Sequence, residues 1–166
     1  MKSFLLAFGT TVIVFLLLRW QSAPLITSTT PTGILALEFC DSIPELNTIL
    51  NVWNINTVVW AVIIDFLFIA GFGACFYYGS KLVFSKFSNW VTRFMISFSF
   101  VAPLLDVIED ILMLVTLSGT HSTFILLLTK YVAIIKFAAA AIVVLYLLVS
   151  LLIIYGIPKK TVNIPE

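Results

Sequence analysis

Val101-Ala102-Pro103-Leu104-Leu105-Asp106-Val107-Ile108-Glu109-Asp110-Ile111 sets three carboxylates inside a run otherwise suited to lipid. On a helix, positions 106, 109 and 110 fall within roughly 100° of arc and about 6 Å of rise, so the three acids share one face. That face is expected to turn into a bundle or a wet cavity, because ionisable groups at membrane depth are costly against lipid and call for partners.

Composition sets the class of protein in which those partners must be found. Of 166 residues, 61% are hydrophobic and 10% charged, with a mean hydropathy of +1.16, a balance foreign to soluble domains of this size. The pattern predicts an all-α integral membrane protein, a single domain built as a four-transmembrane-helix bundle. Its spans are expected at about 4–20, 57–79, 90–117 and 123–155. The formal charge of +1 and the absence of a basic stripe exclude a nucleic-acid partner; the bilayer is the expected one. The first segment also has the length of a secretory signal, but Gln21-Ser22-Ala23 places a bulky polar residue where a small one is wanted, so it is expected to be a retained span.

Residues 21–55 form the one long polar connection. Within it Ser42-Ile43-Pro44-Glu45 has capping-box spacing, and Ile43, Leu46, Ile49, Leu50 and Trp53 recur at helical period. A short amphipathic helix at the membrane surface is expected, acting as a lid on the outer end of the bundle or as a docking element. Ala70, Gly71, Gly73 and Ala74 in the second span should let another helix approach closely. In the third, Pro103 leaves the carbonyl of Ser99 without its amide, so a kink is expected one turn before Asp106.

Charge asymmetry orients the chain. Lys2, the Lys81, Lys86 and Arg93 connection and Lys159-Lys160 fall on one side of a four-span path, while Glu38, Asp41 and Glu45 fall on the other with Arg19. The positive-inside rule then places both termini in the cytoplasm, in a bacterial inner membrane. Hairpin geometry brings Asp65 level with Asp106, Lys130 level with Asp110, and Lys136 just below Asp106, at 1.5 Å per residue. The expected cluster is Asp65, Asp106, Glu109 and Asp110 with Lys130 and Lys136. Lys130 is near enough to the outer end to snorkel, so Lys136 is the expected buried partner. Four acids against two lysines in low dielectric favour a retained proton, expected first at Asp65, recruitment of Arg19, or a bound cation.

Leu37-Glu38-Phe39, Asp65-Phe66-Leu67-Phe68, Asp106-Val107-Ile108-Glu109-Asp110 and Lys136-Phe137 together resemble a group of four-span bacterial membrane proteins to which no activity is attached. The resemblance implies the same architecture and singles out Asp65, Asp106, Glu109 and Lys136. In that group the position of Asp110 is usually an amide, so this chain carries one acid more.

Function follows the cluster. The leading expectation is a non-catalytic membrane subunit or partner-docking protein whose charges form an ionic clasp. Set beside it are a proton- or cation-coupled transport or sensing unit and a binder of a small amphiphile, with a membrane-embedded enzyme behind both. A homo-oligomer or a partner membrane subunit is compatible with each. No catalytic residue, cofactor or metal ligand is assigned, for the chain has no nucleophile elbow, phosphate loop or metal-ligand spacing, and a lone His121 in a turn is more often exposed. Cys75 reads as a packing residue and Cys40 as buried beneath the surface helix, too far apart for a bridge.

Overall fold

In the computed structural model, residues 1–156 are described, with the side chains of the last two left aside; the expected Lys159-Lys160 terminus lies outside the described residues. These residues form helices and no strand. Helix α1 (Lys2–Ser22) is followed by a short 3-10 turn, Ala23–Leu25. Two shorter helices follow, α2 (Leu35–Glu38) and α3 (Ile43–Val52), before the long α4 (Ile55–Phe84). The third hydrophobic segment is α5 (Trp90–Phe98) and α6 (Val101–Leu117), and the chain then enters α7 (Thr123–Gly156).

Three stretches are helical, long and apolar enough to cross a membrane: Lys2–Leu25, Ile55–Phe84 and Thr123–Ile154. The third expected segment, 90–117, does not run as one helix; it breaks at Ser99-Phe100. Both residues keep right-handed helical backbone, so the break is a loosened turn. Its cause is Pro103, whose missing amide cannot continue the ladder to Ser99.

Local signals end the helices as their chemistry requires. The Asn54 side chain accepts from the amide of Asn56 at 3.0 Å and opens α4. Asn89 and Thr92 exchange side-chain and backbone bonds at 2.9 and 3.2 Å in a full capping box at α5. The box expected at Ser42 is different: Ser42 is an extended N-cap without a side-chain bond, and Glu45 Oε2 instead accepts from the amide of Asp41 at 3.3 Å.

Helix α1 packs along α4, α7 packs along α6, and α4 touches both α6 and α7. The small residues of α4 set the spacing. A Cβ on Gly71 would come 3.3 Å from Thr11 Cα of α1, and one on Gly73 would come 3.1 Å from Pro103 Cγ of α6. The kink-forming proline is therefore also seated by a glycine.

Two apolar cores occupy opposite ends. At the end that carries the 21–55 connection, Leu25, Leu37, Cys40, Leu46, Ile49 and Trp53 pack on Val58, Ala61, Val62, Met113 and Leu126, so that connection is folded down onto the helix ends. Trp53 Nε1 ties it in place, donating to Leu25 O at 2.9 Å and Thr30 Oγ1 at 3.0 Å. At the opposite end Phe76, Val83, Met95, Ala102, Ala139, Val143 and Leu147 form the second core. The charged group lies between the two.

Candidate functional site

Lys136 is the centre of that group. Its helix α7 carries apolar residues on every side, yet Lys136 is buried, with 7% of its surface exposed. Its Nζ donates to Asp106 Oδ1 at 2.8 Å and lies 2.6 Å from Glu109 Oε2, an ion pair whose angle misses hydrogen-bond geometry. These two acids stand three positions apart on α6, which puts both on the face turned to α7. The predicted pairing of Lys136 with the acids of the third segment is present.

A third carboxylate escapes sequence reasoning. Glu38 Oε2 stands 3.6 Å from Lys136 Nζ, beyond hydrogen-bond reach, and Glu38 is buried. Glu38 comes from α2, in the connection expected to be polar and external. The signal lies in Ile34-Leu35-Ala36-Leu37-Glu38-Phe39-Cys40, where Glu38 alone interrupts an apolar run. Gly33, at φ +62°, makes the left-handed turn that starts this run inward, and Leu37 and Cys40 bury on either side of the acid.

Lys130 does not join the group. Its Nζ pairs with Asp41 Oδ2 at 2.7 Å at the end that carries the 21–55 connection, with both side chains partly exposed, and makes no ion pair with the four acids expected around it. The two lysines are six residues apart, about 120° around the helix, so one faces in when the other faces out.

Asp110 is wholly buried and neither of its oxygens has a hydrogen bond. Asp65 is half-buried and makes neither a hydrogen bond nor an ion pair among the described residues. Both acids thus stand outside the Lys136 pairing. One buried cation faces more carboxyls than it can neutralise.

A cleft of about 490 Å³ reaches the group. Glu38, Asp65, Asp106 and Lys136 line its polar part, and Arg19 lies at its wall. The remainder is aromatic: Phe15 and Phe68 rings are 5.9 Å apart, Phe68 and Phe72 5.3 Å, Phe72 and Phe76 5.4 Å. Phe137 faces them from α7, its ring 4.6 Å below Lys136 Nζ. The walls belong to α1 and α7, which pack on α4 and α6 rather than on each other. Phe15 and Phe137, one from each wall, are 45% and 44% exposed, so the cleft is open to the side between these two helices.

Cys40, outside the long helices, is buried, and burial pushes its thiol up to about 11, opposed by the Ser42 backbone and reinforced by Glu45 and Asp41. Cys75 is likewise a buried free thiol. His121 sits exposed in the turn made by Gly119 at φ +102°. No group of three or more His, Cys, Asp or Glu among the described residues is placed to hold a metal. The chain matches no protein-family model, and neither a curated protein nor a solved structure is similar to it.

Proposed function

We propose that this chain is a non-catalytic integral membrane protein that binds a small amphiphile in the cleft between α1 and α7. The single observation that carries the reading is the continuity of that cleft from exposed aromatic walls to the buried Lys136 group. A clasp alone needs no such opening, since charges that only fix helix register are best sealed and fully paired. Lys136 with Asp106 and Glu109 supplies the structural part, Glu38 stands 3.6 Å from that lysine at the cleft wall, and Asp65 is left to face a ligand.

In this reading α5 and α6 together make a fourth, kinked crossing beside α1, α4 and α7, and α3 lies at the outer membrane surface. Lys2 and the basic stretch from Lys81 to Arg93 are then cytoplasmic. A bacterial inner membrane suits that arrangement. A sideways opening at membrane depth admits a ligand from the lipid phase, which a subunit that only docks a partner would not require.

The test is photolabelling of the whole protein in nanodiscs with an alkyl diazirine that bears a neutral sugar head. Labelling should concentrate on peptides from α1, α4 and α7 that line the cleft. Ala140→Trp, which places a large ring in the cleft, should reduce it several-fold while leaving the melting temperature near that of the wild type. Labelling spread evenly over the lipid-facing surface and indifferent to Ala140→Trp would remove the binding site.

A further inference from the structure

The charges and rings of the cleft define the head group it takes. Five carboxyls face the site or stand directly behind it: Glu38 from α2, Asp65 from α4, and Asp106, Glu109 and Asp110 from α6. The cations are Lys136 from α7, already held by Asp106 and Glu109, and Arg19 from α1, which is exposed at the rim. Carboxyls outnumber cations, and Asp65, Asp106 and Glu38 line the cavity. Glu38 is buried at the cleft wall with its Oε2 3.6 Å from Lys136 Nζ and without a hydrogen bond, and Asp65 lines the same wall with no hydrogen bond or ion pair of its own.

Aromatic faces accompany these acids. Phe68 lies one turn below Asp65 on α4, and Phe137 stands opposite it on α7. Carboxylates set among phenyl rings match an alkylammonium, which gains Coulomb attraction from the acids and quadrupole attraction from the rings. An anionic head would meet the opposite: repulsion from the acids and negative ring faces.

The shape sets the tail. From Asp65 to Phe76 is eleven residues of helix, about 16 Å, and Phe68, Phe72 and Phe76 follow at the spacing that keeps one face. Below the acids the cleft is therefore an apolar trough suited to an alkyl chain.

We infer that the ligand is a single-chain cationic amphiphile, an alkylamine or alkyl quaternary ammonium, whose head lies between Asp65 and Glu38 and whose chain runs along Phe68, Phe72 and Phe76 toward the inner half of the membrane. This rests on the reading of the cleft as an amphiphile site and adds the sign of the head group.

Competition against the neutral diazirine probe separates the two claims. Three competitors of equal chain length are used: dodecyltrimethylammonium, dodecyl phosphate and dodecyl maltoside. The ammonium should displace the probe at a concentration about tenfold below that of the maltoside, with the phosphate weakest, a difference of about 1.4 kcal/mol. Asp65→Asn should erase most of the ammonium's advantage over the maltoside. Its melting temperature gives the control for folding, because Asp65 makes no hydrogen bond or ion pair to lose. Equal or better displacement by the phosphate, or an ammonium advantage untouched by Asp65→Asn, overturns the cationic assignment while the site stands. Failure of all three to displace the probe overturns the site itself.

Discussion

Two lysines six residues apart on α7 meet two acids three residues apart in the outer connection, and the two ion pairs are unlike. Lys130 and Asp41 lie 2.7 Å apart with side chains 29% and 49% exposed, whereas Lys136 and Glu38 are each 9% exposed and 3.6 Å apart. The outer pair has the better distance and the lesser consequence. Water solvates both of its members whether or not they meet, so the pairing replaces little. Lys136 has no such reserve; Asp106, Glu109 and Glu38, with the Phe137 ring beneath its Nζ, offset its removal from water. Depth rather than contact distance decides what an ion pair does in this protein.

The largest effect should come from breaking the inner group on one side only. Lys136→Met leaves Asp106 and Glu109 buried without their cation, a loss of about 3 to 5 kcal/mol. Adding Glu109→Gln to Lys136→Met should return part of that stability, since less buried charge is then uncompensated. Thermal unfolding in a fixed mild detergent reads both. If the double variant melts no higher than Lys136→Met, the ion pair does not support the fold.

The same contrast separates what is legible in the amino-acid sequence from what is not. Hydropathy locates the long helices, because a run of apolar residues long enough to span is visible without knowing its neighbours. Turn positions then set the depth of Lys136 and Asp106, and those two residues do pair at 2.8 Å. That arithmetic works along a rigid helix with fixed rise. It fails for a connection, whose path is set by tertiary contacts, so it leaves Glu38 outside the cluster and puts Lys130 within it. Depth alone brings Lys130 near Asp110; the rotation of α7 and the inward fold of Leu37 and Cys40 redirect both. A kink one turn before Asp106 is foreseeable from Pro103, but not that the helix stops at Ser99-Phe100 and divides into α5 and α6.

Loosening the outer connection should give the next largest effect. Trp53→Phe removes the indole N–H that donates to Leu25 O and Thr30 Oγ1, leaving two buried acceptors with one donor fewer, which costs about 1 to 3 kcal/mol. The thiol of Cys40, pushed up to about 11 by burial, reports the opening. Its folded value lies above that of a free thiol, so near pH 8 little thiolate forms while the connection stays closed, and maleimide reacts slowly. Trp53→Phe should accelerate Cys40 labelling several-fold with Cys75 replaced by Ala. An unchanged rate would mean that Trp53 does not hold the cover over Glu38 and Lys136.

Asp110 sharpens the inner side from another direction. It is buried as deeply as Glu109, yet no cation contacts it. Asp110→Asn keeps the shape and removes an ionisable group that has no partner, so stability should change by less than about 1 kcal/mol, in either direction. A loss comparable to that of Lys136→Met would show that Asp110 is held by a contact as strong as the Lys136 pairs.

The smallest effect belongs to the outer pair, and its salt dependence is the sharper measurement. Lys130→Met and Asp41→Asn, separately and together, form a double-mutant cycle across the 2.7 Å contact. Both side chains are partly in water, so their coupling should be slight at low ionic strength. It should vanish near 1 M salt, where the screening length falls to about 3 Å. The Lys136 and Glu109 cycle should retain its coupling at the same salt, because both side chains are buried, 9% and 0% exposed, and buried pairs are screened far less. Should the Lys130 and Asp41 coupling also survive high salt, the outer end of α7 is itself shielded, and exposure no longer separates the two lysines. The difference between them would then have to come from the number of acids each faces, one for Lys130 against three for Lys136.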